Sequence, residues 1–293
     1  MKRSEIGIRD PFVLLDGGKY YLYGTRNTTA WGDADGFDVY VSDDLEEWQE
    51  KKEIFHNDGS FWATQNYWAP ECVKYNGKYY LIATFGSKTR KKGIQILEAD
   101  KPDGTFVPKT EYPITPEEWN CLDGTLYLDE GDIPWLVFSH SVPEELRGAI
   151  CAVKLSRDFA HMESKPQVLF YAFEVQWTRP IPFAKQEFGV DGNAYFSDGP
   201  YLFRSESGRL CMLWSSWSER GYAMGISSSE SGKLVGPWKH QSEAVFYGGG
   251  HGMIFSQKSG ERLLTFHAPN ETLKERPLFE ELSKYYNPDS DCK

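Results

Sequence analysis

The sequence predicts an all-β fold, a five-bladed β-propeller with four antiparallel strands per blade, on three observations. A β-run, a Gly-containing turn and a second β-run recur five times along the 293 residues. A second, outer half-repeat follows four of these hairpins. The hairpin starts, at residues 10, 69, 123, 198 and 251, are separated by steps of 59, 54, 75 and 53 residues. A period of roughly 50–60 residues with four strands in each marks propeller blades. Five periods fill the chain, so a single domain over residues 1–293 accounts for all of it.

The first copy reads Asp10-Pro11-Phe12-Val13-Leu14-Leu15, turns at Gly17-Gly18, and returns through Lys19-Tyr20-Tyr21-Leu22-Tyr23. The second reads Ala69-Pro70-Glu71-Cys72-Val73, turns at Asn76-Gly77, and returns through Lys78-Tyr79-Tyr80-Leu81-Ile82. The later copies open on Asp123-Gly124-Thr125, Asp198-Gly199-Pro200 and His251-Gly252-Met253. Two apolar runs flanking a Gly turn are a hairpin signature. The outer halves share an aromatic residue or Met followed by a short apolar pair: Trp48 with Ile54-Phe55, Phe106 with Pro113-Ile114, Met162 with Leu169-Phe170, and Trp238 with Val245-Phe246. The fifth outer half is degenerate, with Arg276-Pro277-Leu278-Phe279 as its candidate. Amphipathic helices are absent from the pattern; Thr115–Trp119 reads as one helical turn, with Thr115 as cap and Pro116 at the first position. A β-sandwich gives no reason to repeat one polar–Gly/Pro–apolar register five times.

Composition narrows the function. The net charge of −11 leaves no basic stripe to meet phosphates, which excludes nucleic acid as a partner. No apolar run approaches the roughly 20 residues of a membrane span. The start, MKRSEIGIRD, lacks the apolar core of a secretory signal, so the expected location is the cytoplasm. The five cysteines form no CxxC and no Cys/His cluster; Cys72, Cys121, Cys151 and Cys211 sit in strand-like contexts and read as small core residues. Phosphate-binding Gly loops, a GxSxG elbow and an HExxH pair are all missing.

The starts of the innermost strands carry the chemistry. In a propeller these strands converge on a central channel, and here the equivalent positions hold Asp10, Ala69, Asp123, Asp198 and His251. Gly or Pro follows each one and lets the backbone turn tightly. One Asp-Gly alone is ordinary turn chemistry. Three carboxyl groups in register, beginning strands that should be buried, would destabilise the fold unless a proton is retained among them. Paired carboxyls, one ionised and one protonated, are the machinery of glycoside hydrolysis. Trp31, Trp62, Trp68, Trp177 and Trp217 fall in segments predicted to rim the channel mouth, where indole faces stack on sugar rings. Trp135, Trp214 and Trp238 lie within strands and read as core. The loops expected to set specificity are 26–37, 56–68, 86–93, 141–147 and 172–197.

Ile8-Arg9-Asp10-Pro11-Phe12, Tyr67-Trp68-Ala69-Pro70-Glu71, Leu122-Asp123-Gly124-Thr125, Asp198-Gly199-Pro200-Tyr201 and Gly250-His251-Gly252-Met253 occur in this order across nearly the whole chain. In these stretches the sequence resembles glycoside hydrolase family 43. The resemblance implies an inverting hydrolase acting on furanosyl arabinose or on xylose, in some members galactose. It implies Asp10 as general base and Asp123 as the carboxylate that tunes proton affinity. Trp68 would line the sugar pocket, with Arg9, Trp177, Trp217 and His251 as further substrate contacts. No cofactor is required, but the resemblance places a hydrated cation, often calcium, near His251. Many members open the fourth hairpin with Glu-Gly-Pro, whereas this chain has Asp198-Gly199-Pro200. Two candidates for the general acid therefore stand: Asp198, and Glu174 in Phe173-Glu174-Val175-Gln176-Trp177 inside the long step. Invertase-like propellers carry Arg-Asp-Pro in the second blade; here Arg9-Asp10-Pro11 opens the first. The expected activity is cleavage of α-L-arabinofuranosyl linkages in arabinan- or arabinoxylan-derived oligosaccharides. The alternatives are a β-xylosidase or galactosidase of the same family, and a carbohydrate-binding propeller without turnover.

Overall fold

The structure, a computed structural model, describes residues 1–286. Four blades are consecutive antiparallel sheets. The first is Ile8–Asp16, Lys19–Arg26, Gly36–Ser42 and Lys52–His56. The second is Gln65–Tyr75, Lys78–Gly86, Gly93–Ala99 and the short Val107–Pro108. The third is Cys121–Leu128, Pro134–His140, Ala149–Lys154 and Gln167–Tyr171. In the fourth, Asp198–Arg204, Leu210–Ser218 and Gly221–Ser229 are followed by two separate outer pieces, Trp238–His240 and Phe246–Tyr247. The fifth blade has three strands among the described residues, Gly250–Ser256, Arg262–Ala268 and Arg276–Glu281. The degenerate outer half seen in the sequence is thus the third strand of this blade.

Closure of the ring is visible in the innermost strands. Ile8–Asp16 touches both Gln65–Tyr75 and Gly250–Ser256, and Cys121–Leu128 and Asp198–Arg204 complete the circuit. The apolar faces of adjacent blades make the core. Trp135, Trp214 and Trp238 are buried in the cluster between the third and fourth blades, and Cys72, Cys121, Cys151 and Cys211 are buried as the sequence predicts; Cys292 lies outside the described residues. Two local expectations change. Thr115–Trp119 makes one hydrogen-bonded turn, Trp119 N–H to Pro116 O at 3.2 Å, and no helix. The long step instead contains a short helix, Ala184–Phe188, closed by Gly189 in the left-handed conformation. None of the described helices is long and apolar enough to cross a membrane.

Each innermost strand carries the same irregularity. The strand pairing slips between Arg9 and Phe12, Trp68 and Glu71, Leu122 and Thr125, Asp198 and Tyr201, and Gly250 and Met253. Directly after the first residue of each slip, the backbone enters the left-handed region: Asp10 at φ 52°, Ala69 at 45°, Asp123 at 56°, Gly199 at 49° and His251 at 54°. Four of these are not glycine, so the bulge is a strained conformation held by its surroundings.

This geometry corrects the register of the fourth hairpin. The residue equivalent to Asp10, Asp123 and His251 is Gly199, and Asp198 stands one position earlier, level with Arg9 and Trp68. The reason is steric: a Cβ at Gly199 would lie 2.7 Å from the His251 ring. Only glycine fits beneath that imidazole, so the acidic side chain of this blade comes from the preceding residue.

The bulge N–H groups point away from their own sheet and are satisfied by the neighbouring blade. Ala69 N–H donates to Thr25 Oγ1, Asp123 N–H to Thr84 Oγ1 and His251 N–H to Ser215 Oγ, each at 2.9 Å. Asp10 N–H donates to His267 Nδ1 at 3.2 Å and closes the ring between the fifth and first blades. The acceptors occupy one position in the second strand of each blade, opposite the residue before the bulge. Replacing Thr84 by Val keeps the shape and leaves the buried Asp123 N–H without an acceptor. Denaturant unfolding should show a loss of roughly 1–3 kcal/mol.

Candidate active site

Above the ring lies a cavity of about 530 Å³. Its wall includes Arg9, Trp31, Trp68 and Lys92 from the first two blades, Trp217 and Tyr222 from the fourth, and Phe183, Glu187, Phe188 and Phe196 from the long insertion. Trp31 is 61 % exposed at the rim and meets Trp68 edge to face at 5.6 Å. Trp217 is fixed in the same way by Phe183 at 5.3 Å. Trp68 donates its indole N–H to Ala30 O at 2.6 Å, which sets the plane of its ring.

Asp198 is part of this wall, its side chain 19 % exposed. Its Oδ2 accepts from the Tyr222 hydroxyl at 2.8 Å and its Oδ1 lies 3.3 Å from His251 Nδ1. The same nitrogen lies 3.4 Å from Asp10 Oδ1 and 3.8 Å from Asp123 Oδ2. Thr25 links two blades here, accepting from Ala69 N–H while donating to Asp10 Oδ2 at 2.7 Å. Asp123 Oδ2 accepts the Gly199 N–H at 3.1 Å. Arg9 is held by Asn270 Oδ1 and Glu275 Oε1, both at 3.0 Å, and its guanidinium lies 4.9 Å from the Trp31 ring centre.

The charges follow from this packing. Burial would drive His251 neutral, but Asp10, Asp123 and Asp198 push it up to about 10, so it is an imidazolium. Burial likewise opposes ionisation of Asp10, yet His251 and Arg9 hold its carboxyl well below the usual carboxylate range. Asp123 goes the other way: burial and the adjacent Asp198 raise it well above that range. Asp198 is held low, against burial, by hydrogen bonding to Asp123 and His251. Asp123 and Asp198 therefore share one proton, which rests on the more deeply buried Asp123, while Asp10 is ionised. Burial and Arg9 push His267 down. It is neutral, with Nδ1 accepting from Asp10 N–H and Nε2 facing Asn270 Oδ1 at 3.2 Å.

Asp10, Asp123, Asp198 and His251 thus converge, with Arg9, Trp68 and Trp217 on the cavity wall. Glu174 and Trp177 do not join them. Glu174 is exposed in the short turn Ala172–Glu174, away from the wall. Trp177 is buried against Trp214, ring centres 4.9 Å apart, and packs over Gly225 in the core. The long insertion does reach the cavity, through Phe183, Glu187, Phe188 and Phe196 instead. Trp62 faces a neighbouring depression and donates to Gln95 Oε1 at 2.8 Å. Tyr222, Lys92, His267 and Asn270 were not foreseen.

Ligand atoms of Asp123, Asp198 and His251 lie within 4.8 Å of one another, a set that by composition would suit a cation. Its nitrogen is the protonated Nδ1, a donor already facing three carboxyl groups. A cation near His251 would take this nitrogen only by displacing its proton, with Asp123 and Asp198 as the carboxylates beside it.

The chain matches the model of the family described as Glycosyl hydrolases family 43 over residues 5–286. Its fold is similar to the crystal structure of an endo-arabinase from Bacteroides thetaiotaomicron VPI-5482, with a TM-score of 0.87 and 36 % identity over 98 % of both chains. It is 30 % identical over 145 residues to an extracellular endo-alpha-(1->5)-L-arabinanase of Bacillus subtilis (strain 168), covering 45 % of this chain and 42 % of that protein. It is 35 % identical over 77 residues to a beta-xylosidase of Xylanibacter ruminicola, covering 25 % and 24 %. The chain thus spans less than half the length of these curated relatives.

The charge arrangement has a measurable signature. The His251 imidazolium stabilises the fold fully below pH 6.5, and this contribution declines as pH rises through about 10. His251→Gln should cost roughly 3–5 kcal/mol at neutral pH. Urea unfolding at a series of pH values should show the deficit at its full size near pH 6 and shrinking as pH rises towards about 10, where the wild-type imidazolium loses its proton.

Proposed function

This chain belongs to glycosyl hydrolase family 43, and within it we propose that it hydrolyses α-L-arabinofuranosyl linkages of arabinan- or arabinoxylan-derived oligosaccharides with inversion at the anomeric carbon. The observation that carries the reading is the convergence of three carboxyl groups on one imidazole nitrogen, within 3.3–3.8 Å, beneath an aromatic-lined cavity. An ionised carboxylate and a carboxyl pair holding one proton are what a single displacement of an acetal needs. Asp10, fixed by Thr25, takes a proton from the attacking water. The proton of the Asp123–Asp198 pair reaches the leaving oxygen through Asp198, the member on the cavity wall. Asp10 ends protonated and the pair ionised; exchange with solvent restores both. Trp31, Trp68 and Trp217 supply the faces on which sugar rings stack. The preference for arabinose rests on the likeness to the Bacteroides thetaiotaomicron endo-arabinase along nearly the full chain. A β-xyloside is the second reading, supported by the shorter match to a beta-xylosidase.

Incubation with α-1,5-linked arabino-oligosaccharides should release shorter products, and proton NMR should show the first-formed anomer with inverted configuration. Release of xylose alone from xylo-oligosaccharides would move the substrate to the second reading. Binding of either sugar without product would leave a carbohydrate-binding propeller. Asp10→Asn should lower kcat by about 10²–10⁴-fold with unfolding unchanged in cooperativity. Tyr222→Phe removes the hydroxyl that favours ionised Asp198. The pair then keeps its proton longer, and the basic limb of the kcat/KM profile should move up by roughly half to one pH unit.

A further inference from the structure

We propose that Ser139 is a positioning residue, an alternative acceptor for the Gly199 N–H that gives the seam between the third and fourth blades two arrangements. The ring of bulges carries this inference. In four seams the bulge N–H donates to the side chain opposite the residue before the neighbouring bulge: Thr25, Thr84, Ser215 and His267. In the third blade that position, opposite Leu122, is Ser139. Its hydroxyl should receive the Gly199 N–H. Instead Gly199 donates to Asp123 Oδ2 at 3.1 Å, and Ser139 Oγ, on a fully buried residue, has no hydrogen-bond partner. An orphaned buried hydroxyl is rare and calls for an explanation. Here it stands where its four counterparts each hold a neighbouring N–H.

The two acceptors differ in consequence. A donor on Asp123 favours its ionised form; moving that donor to Ser139 lets Asp123 keep the shared proton. The other charged groups around Asp123 are Asp198, His251 and Asp10, with Lys92 farther along the cavity wall. None of them changes when the N–H moves. Gly199 is the one bulge residue of the five without a side chain, so its peptide is the freest of the five to turn. Ser139 therefore acts on the proton pair through the backbone of Gly199, without touching substrate. The catalytic consequence rests on the hydrolase reading above; the two-state seam does not.

Two measurements test this on the full chain. Ser139→Ala removes the alternative acceptor, so the Gly199 N–H stays on Asp123. The basic limb of kcat/KM on an arabino-oligosaccharide should then move down by roughly half to one pH unit, and Ser139→Thr, which restores a hydroxyl, should return it. In ¹⁵N-glycine-labelled protein, the Gly199 amide resonance should titrate with the carboxyl pair, its midpoint moving down in the Ala variant in step with the basic limb and returning in the Thr variant. An unmoved basic limb with an unchanged Gly199 titration in Ser139→Ala would overturn the proposal. If the wild type cleaves no sugar, the hydrolase reading fails, and the Gly199 resonance alone decides the seam.

Discussion

Five backbone N–H groups at left-handed bulges must each find an acceptor in the neighbouring blade, and the rest of this molecule is arranged around that requirement. The bulges aim residues 10, 123 and 251 at the axis. They are strained, and they persist because the seam hydrogen bonds and the packed innermost strands hold them. The same bonds join each blade to the next, so the features that close the ring also converge the reactive groups. Thr25 shows the economy of the arrangement: one hydroxyl holds the Ala69 backbone and orients the Asp10 carboxylate.

Convergence creates an electrostatic problem that the site answers with one cation and one proton. Three carboxyl groups around a single imidazole nitrogen cannot all ionise in a buried setting. The imidazolium of His251 offsets part of the charge, and the proton retained by Asp123 and Asp198 offsets more. Asp10, near Arg9 as well, is left ionised. The division of roles follows from position. Asp198 opens onto the cavity while Asp123 is sealed beneath it, so the proton is stored on one carboxyl and delivered by the other.

Much of this was legible in the sequence, because repetition reveals a propeller even where single motifs say little. The five hairpins, the degenerate last outer half and the convergence of Asp10, Asp123, Asp198 and His251 all came from one repeated register. What escaped depended on three-dimensional contacts. The one-residue offset at Asp198 arises from the His251 ring lying against Gly199, a contact between blades. Trp177 looked like a rim residue because it sits in the long insertion, yet it packs against Trp214. Glu174 looked like a second acid for the same reason and faces solvent. The seam acceptors did leave a trace: Thr25, Thr84, Ser139, Ser215 and His267 each end an apolar run in the second strand of a hairpin. Only the ring geometry gives that trace a meaning.

The central claim is the placement of protons among three carboxyl groups and one imidazole. Neutron diffraction from a deuterium-exchanged crystal near neutral pH reads that placement directly. The account predicts deuterium on Nδ1 of His251, a single deuteron on the Asp123–Asp198 pair, and none on Asp10. A deuteron on Asp10, or a pair of bare carboxylates at 123 and 198, would contradict it.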